Sequence, residues 1–438
     1  MRFAIRAPLW LLTTLILRSS APAGAQISQY TAPGSLLQRE TSQKEQLERA
    51  IENARWRLGP FRLAPWLAIR DAAYVSNVFA GPFGTAQGAR EEPDFTVTAG
   101  AGLQGLLPLG SKSYFTVDAL PQYVYWQEHD ERRRLNGYYG AGLLGFFNHL
   151  DVQAVARRAE EQAVITPEFE QRVHTRQDLL KGVIELRLAR SLYVFASASG
   201  LQFEMLAGSL GDDPRLPPFE ELDREERILL TGVEYRHQDR LRLAAGVERS
   251  ETAFPGAAHD RSNSGTAPVL EASYGSERFR LSGALARRSL KPETGSEFVP
   301  FEATTGQVQA SWTPRWRLSY SLYGSRDLLY SLEPGYSQFT SDRLGGAIGA
   351  QLGKASTIDL FLETGMHDYA ATGPAVQSRQ DDFSAYGTAL HLQFRDWGRF
   401  TVGVQRTELD SLVSGRRGVT TVHSAFEISA FGGALTIR

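Results

Sequence analysis

Charged side chains recur at every second position along several apolar runs of this 438-residue chain. In RLRLAAGVE, Arg240, Arg242 and Glu248 alternate with Leu241, Leu243 and Val247. In STIDLFLE, Asp359 and Glu363 alternate with Ile358, Leu360 and Leu362. In ALHLQFR, His391, Gln393 and Arg395 alternate with Leu390, Leu392 and Phe394. Glu185, Arg187, Glu234, Arg236, Arg278, Arg280, Arg315, Arg317, Gln405 and Glu408 join the same set. Successive side chains on a strand face opposite sides, so each run has one apolar face and one charged face. Charges of both signs on one wall suit a hydrated lumen that passes polar solutes. Rings of one sign would select ions, and the sequence contains no string of like charge at this spacing. The alternative is that these groups pair across strands and hold the wall's shape.

Other chemistry is weaker. The run Glu128 to Arg134 (EHDERRR) offers contacts to phosphates of lipopolysaccharide or of a polymer, or is a solvated loop tip. Asp260, Ser262, Ser264, Gly265 and Glu271 fall at calcium-loop spacing. Only two of them are carboxylates, Pro268 interrupts and no helices flank the segment, so an external loop entering a strand is the better reading. No metal or cofactor site is expected. For catalysis, Ser424 follows His423, but strand neighbours face opposite sides. No Gly-x-Ser-x-Gly or His-Glu-x-x-His occurs. No catalytic residues are expected.

The elements that position the charged face can be read from turns. Turn centres fall near Gly110, Asn148, Arg190, Asp239, Glu277, Pro314, Lys354 and Trp397, about 40 residues apart. Each joins two alternating runs of about 11 to 13 residues, which suits a tilted strand crossing an outer membrane. Longer polar loops lie between, at roughly 76–93, 127–134, 162–174, 206–224, 252–264, 289–300, 326–339, 368–382 and 410–418. Short turns on one side and longer loops on the other are the pattern of a transmembrane β-barrel. A strand over 61–75 precedes the first hairpin and one starting near Val419 follows the last, giving about 18 strands, with both termini beside the short turns. A soluble sheet also alternates hydrophobic-in and polar-out, but such regular, long hairpins favour the barrel. Aromatics cluster near the turns, at Tyr114, Phe115, Phe146, Phe147, Tyr193, Tyr274, Phe279, Trp312, Trp316, Phe394 and Trp397, as a girdle at a membrane boundary would.

The start of the chain reads as an export signal over residues 1–25. Arg2 and Arg6 precede an apolar core from Leu9 to Leu17, and Ala23-Gly24-Ala25 offers a cleavage site. Residues 26–59 read as a periplasmic leader. Within it, 42–58 has helical spacing, a capping box of Ser42 with Glu45, and Gly59-Pro60 as its stop. The barrel then takes residues 60–438. The chain has no cysteine, which removes a disulfide framework, and a net charge of −2, which does not suggest nucleic acid.

The segment GPFRLAPWLAIRDAAYVSNVFAG, beginning at Gly59, carries Pro65, Tyr74, Asn77, Val78 and Phe79. It resembles the opening strand of the beta-barrel porin type 2 family. That resemblance implies an outer-membrane barrel often associated with exopolysaccharide secretion, with periplasmic polysaccharide export machinery as a partner. Phe426 and Phe431 are the nearest aromatics for a terminal assembly signal. The expected fold is all-β, a transmembrane antiparallel barrel of about 18 strands with a short N-terminal helix, in the bacterial outer membrane among lipid and lipopolysaccharide. The expected role is a channel for polar solutes or a secreted exopolysaccharide. A general diffusion porin and a structural or adhesive barrel with a plugged lumen stand as alternatives.

Overall fold

A computed structural model describes residues 56–76, 93–164, 168, 172–206, 219–238, 240–315, 317–333, 335–374, 376–394, 398–411 and 415–429. A short strand, β1 (Trp56–Leu58), is followed by β2 (Phe61–Val75), β3 (Asp94–Pro108), β4 (Ser113–Trp126), β5 (Arg134–Phe146) and β6 (Leu150–Val164). Next come β7 (Arg172–Arg187), β8 (Leu192–Met205), β9 (Arg224–His237), β10 (Leu241–Ala253), β11 (Asn263–Gly275) and β12 (Phe279–Pro292). The remaining strands are β13 (Phe301–Arg315), β14 (Leu318–Tyr330), β15 (Tyr336–Gln351), β16 (Ser356–Ala371), β17 (Arg379–Phe394), β18 (Gly398–Ser411) and β19 (Gly415–Ser429).

Each strand from β2 onward pairs antiparallel with the next, and β19 pairs back onto β2, from Thr421 opposite Val75 to Ser429 opposite Trp66. The result is a closed barrel of 18 strands, each with a neighbour on both sides. The expected barrel, its strand count and the first strand's limits all appear in the structure. The expected helix over 42–58 falls mostly outside the described residues. Its last three residues are strand: Trp56–Leu58 doubles back on Phe61–Leu63 through Gly59, whose φ of +59° suits glycine.

The period of 2 sets two faces. Along β10, Arg242, Ala244, Glu248, Ser250 and Thr252 are buried, while Leu243 and Val247 are exposed. Exposed Leu180, Leu270, Leu322, Leu344 and Leu362 hold the same outer parity on their strands. A barrel whose outer surface is aliphatic is one whose surroundings are lipid. Below that band, Phe147, Tyr235, Tyr274, Phe279, Trp312 and Phe394 stand exposed beside the short turns, and Trp312 stacks on its cross-strand partner Tyr320 at 5.8 Å. This is an aromatic girdle of the kind that marks a membrane boundary. Tyr114 and Phe146 do not belong to it: they point inward and pack with Leu106 and Leu144. Trp316 and Trp397 lie outside the described residues.

Strands of 13 to 16 residues exceed the length expected from the sequence. At about 3.3 Å per residue and a tilt near 40°, they rise roughly 35 Å, some 10 Å more than the apolar band. The excess carries outward ion pairs on the long-loop side. Arg158 is bidentate to Asp178 at 2.7 and 2.8 Å, and Arg176 pairs with Glu204. Arg249 meets Glu251 at 2.9 Å, Arg326 meets Asp342 at 2.5 Å, and Arg406 meets Glu408 at 2.7 Å. Glu408 was expected on the inner face. It shares the parity of exposed Val402 and Val404, because no bulge interrupts the β18 register, and so it joins this outer belt.

Candidate functional site: the lumen and its mouth

On the inner wall, charged residues of neighbouring strands come together in a ladder near the short-turn end. Glu185 of β7 accepts from Arg236 Nη2 of β9 at 2.6 Å. Arg236 also holds Glu234, whose Oε1 lies 3.0 Å from Arg242 Nε of β10. Arg242 Nη2 reaches Glu271 of β11 at 3.6 Å. Carboxylate and guanidinium alternate across four of the barrel strands, so each buried charge has an opposite neighbour. Arg236 also covers the Tyr193 ring at 4.1 Å, with Arg187 5.9 Å from the same ring.

Above the ladder the inner wall becomes apolar, with Phe195, Leu230, Ala244, Ala267, Val269 and Ala286 packed together. Higher still, Glu248 Oε1 meets Arg288 Nη1 at 3.0 Å, and Arg288 Nε donates to Thr305 at 2.7 Å. On the far wall, His391 joins Asp359 through Nε2 at 3.1 Å and Thr401 through Nδ1 at 3.0 Å. Tyr323 donates to Glu363 one level up.

Thus Glu185, Glu234, Arg236, Arg242 and Glu248 gather on one wall, and Asp359, Glu363 and His391 on another. Arg280 has inner parity on β12 and is half-buried. Arg240, Arg278 and Arg317 instead sit in short turns, exposed at the rim, because β10, β12 and β14 each begin one residue after them. The side chain of Arg315 and all of Arg395 lie outside the described residues. Glu271, Arg288, Tyr323 and Thr305 complete the networks. Arg288 was legible, since Arg280, Ala284, Ala286 and Arg288 share one parity in FRLSGALARRSL.

The mouth on the long-loop side is crossed. Beyond Gly306, which pairs with Arg326, β13 and β14 no longer pair, while β14 and β15 stay joined up to Tyr330 opposite Gln338. The β14–β15 hairpin therefore separates from β13. Tyr330 is fully buried against Phe254 at 4.7 Å, edge to face, and its hydroxyl accepts from Asn263 Nδ2 of β11 at 2.8 Å. Val173, Phe203, Met205, Phe219, Leu222, Leu290, Phe298, Leu328 and Leu332 complete this apolar cluster, drawn from strands and loops between β7 and β15. A loop of 326–339 was expected here. Burial of Leu328, Leu329, Tyr330 and Phe339 explains why strand persists to 330 and resumes at 336.

The hairpin tip meets the opposite wall. Glu168, between β6 and β7, accepts from Ser331 Oγ at 2.6 Å and from Leu332 N at 3.1 Å. In a ring of 18 strands, β6–β7 and β14–β15 stand nearly across from one another. Burial pushes the Glu168 carboxyl up to about 7, against the opposing pull of the Ser331 and Leu332 donors and of Arg379, with Glu333 adding to the rise. Arg379 is buried beside it, 3.0 Å from Glu333 and 2.6 Å from Asp381, with its guanidinium 4.4 Å above the Tyr369 ring.

The run Glu128 to Arg134 is solvated only in part, with Glu128, Asp130 and Glu131 exposed. Arg132 is buried 4.9 Å over Trp126, Arg133 Nε donates to the Trp126 carbonyl at 2.7 Å, and His129 Nδ1 lies 2.7 Å from Asp94. Asp260 and Glu271 are not neighbours in any metal cage: Asp260 accepts from Ser262, and Glu271 faces Arg242.

No family profile matches the chain, and no curated protein matches it. Among solved structures it resembles Pseudomonas aeruginosa OccK2 (OpdF), at 12% identity and TM-score 0.50 over 84% of this chain and 98% of that one. It also resembles Acinetobacter baumannii OccAB4, at 11% identity and TM-score 0.47 over 84% and 98%. A third is the FrpB iron transporter of Neisseria meningitidis, at 10% identity and TM-score 0.44 over 83% of this chain, which spans only 63% of FrpB. The closed ring and the aliphatic outer surface, in a fold like that of OccK2, make the chain an outer-membrane β-barrel.

Proposed function

We propose that the barrel is a non-catalytic channel for polar solutes across the outer membrane. The observation that carries this reading is the paired-charge ladder from Glu185 through Arg236 and Glu234 to Arg242, set on the inner wall of an 18-strand ring. Rings of 16 to 18 strands are wide enough to leave an aqueous lumen. Paired charges hydrate the wall while cancelling one another, so neutral solutes and small ions of either sign pass with little discrimination. The lining role of Glu185, Arg236, Glu234, Arg242, Glu248, Asp359, Glu363 and His391 belongs to this proposal. So does the division into a signal over 1–25, a leader over 26–59 and the barrel from 60.

Liposome swelling tests it. Vesicles carrying the purified barrel should swell in arabinose, more slowly in stachyose, and similarly in potassium gluconate and arginine chloride. Swelling no faster than in protein-free vesicles would remove the channel reading.

A second reading, exopolysaccharide secretion with periplasmic export machinery, is favoured by the opening strand, where Pro65 and Tyr74 stand as in the beta-barrel porin type 2 family. Asn77, Val78 and Phe79 of that resemblance lie outside the described residues. For a polymer to leave, the β14–β15 hairpin would have to move out of the mouth. Block of conductance by added exopolysaccharide would support this reading.

A further inference from the structure

The outer wall carries a groove of about 760 Å³ that the channel reading does not use. It runs across β4 to β9 at the upper edge of the aliphatic band. Its lower wall is Val117, Ala141, Ala156 and Leu180, closed at one end by Arg227. Its upper wall is Tyr139, Arg158, Asp178, Gln202 and Glu225. These side chains have outer parity, and the floor between the two rows is the backbone of the inward-pointing row. Small residues make the depression: Ala119, Ala141, Ala156 and Gly200 stand where Leu or Tyr fills neighbouring outer positions. A Cβ at Gly200 would meet nothing within 4 Å.

We propose that this groove binds lipopolysaccharide of the outer leaflet, acyl chains on the lower wall and phosphorylated sugars on the upper. Three observations point to that occupant. The groove faces the bilayer on the long-loop side, where the outer leaflet lies. Its two walls divide into an aliphatic row and a row of donors and acceptors, as an amphiphile divides into chain and headgroup. The Arg227 side chain is 74% exposed, with Glu225 at 3.5 Å on one side, and Arg158 is half-exposed, so both present N–H groups to a phosphate while Asp178, Glu225 and Gln202 accept sugar hydroxyls. The groove spans five inter-strand spacings, about 24 Å along the wall. That footprint exceeds a two-chain phospholipid and fits a lipid with several chains on one headgroup.

The test uses the full barrel purified in detergent from outer membranes, with lipopolysaccharide retained per barrel measured by native mass spectrometry. Ala156→Leu with Gly200→Leu fills the groove, and Ala272→Leu adds bulk at an exposed position on β11 outside it. Folding of each variant is checked by its heat-dependent gel migration. Wild type and Ala272→Leu should retain lipopolysaccharide, and the filled groove should retain about tenfold less. Arg227→Gln leaves the groove's shape and should also lower retention, which keeps the proposal testable should the double variant not fold. Equal retention in wild type and Arg227→Gln, equal retention in the filled groove, or equally tight binding of added phosphatidylethanolamine would each overturn the proposal.

Discussion

The Ser331 hydroxyl donates to Glu168 across 163 residues of chain and across the mouth of the barrel. One partner is the tip of the β14–β15 hairpin and the other lies between β6 and β7. The carboxyl is fully buried there, so docking of the hairpin depends on its protonation. With its ordinary value at 4.5 and its folded value at about 7, Glu168 stays neutral in the folded state over a range in which the unfolded chain would ionise it. Burying this carboxyl at the latch is therefore most favourable below about pH 4.5 and becomes less so as pH rises toward 7, by about 3 kcal/mol over the whole window, with the Ser331 and Leu332 donors offsetting part of the cost of ionisation. Ion current through the barrel should accordingly rise between pH 5 and 8. Glu168→Gln should flatten that dependence. An unchanged profile in the variant would assign the dependence to other groups.

The barrel was legible because alternation is local. The turn centres Gly110, Asn148, Arg190, Glu277 and Lys354 fall inside the observed turns, Asp239 and Trp397 lie outside the described residues, and Pro314 is displaced, since β13 continues through it to Arg315. The latch was not legible. Glu168, Glu333 and Arg379 read as polar loop residues, and nothing in a period of 2 says that two loops from opposite walls will meet. Arg379 and Asp381 fell within an expected loop of 368–382 for the same reason: Arg379 is buried between its hairpin partner Tyr369 and Glu333 of the distant β14–β15 tip. Glu408 shows the converse limit, where a parity slip of one residue moves a charge from lumen to lipid side.

Arg379→Leu should be among the most damaging single changes. Asp381 is fully buried and takes three contacts of 2.6 to 3.1 Å from this guanidinium, and Glu333 loses the same partner. Removing one member of a buried pair costs about 3–5 kcal/mol. The temperature at which the folded gel form is lost should fall well below that of wild type. Double replacement of Arg379 and Asp381 by Leu should recover much of the loss, and no recovery would contradict the pairing.

Selectivity should follow the ladder. Glu234→Gln leaves Arg236 and Arg242 short of a shared carboxylate, and Glu185 alone then faces Arg236. The reversal potential in a potassium chloride gradient should move toward anions. Arg242→Gln should move it toward cations. Equal potentials in both variants would separate the ladder from the permeation path.

Gly306 marks where the wall divides. Its φ of +148° and the Ala284 carbonyl, 2.1 Å from where a Cβ would stand, leave no room for a side chain. Gly306→Ala should cost about 1–3 kcal/mol and broaden conductance, because the β13–β14 junction fixes where the hairpin leaves. A variant as stable as wild type would contradict that strain. On the outside, Leu270→Arg should lower folding stability in lipid by about 2–4 kcal/mol, measured by urea titration in vesicles; a neutral effect would place Leu270 away from hydrocarbon.

The central claim, a hydrated channel latched at its mouth, is tested most directly by single-channel recording of the purified barrel in a planar bilayer, wild type beside Ser331→Ala. Discrete ohmic steps are expected from both, with longer open times in Ser331→Ala, where Glu168 loses its hydroxyl donor and keeps the Leu332 amide. Silence from both proteins, with folding confirmed on the gel, would contradict it and leave a plugged structural barrel.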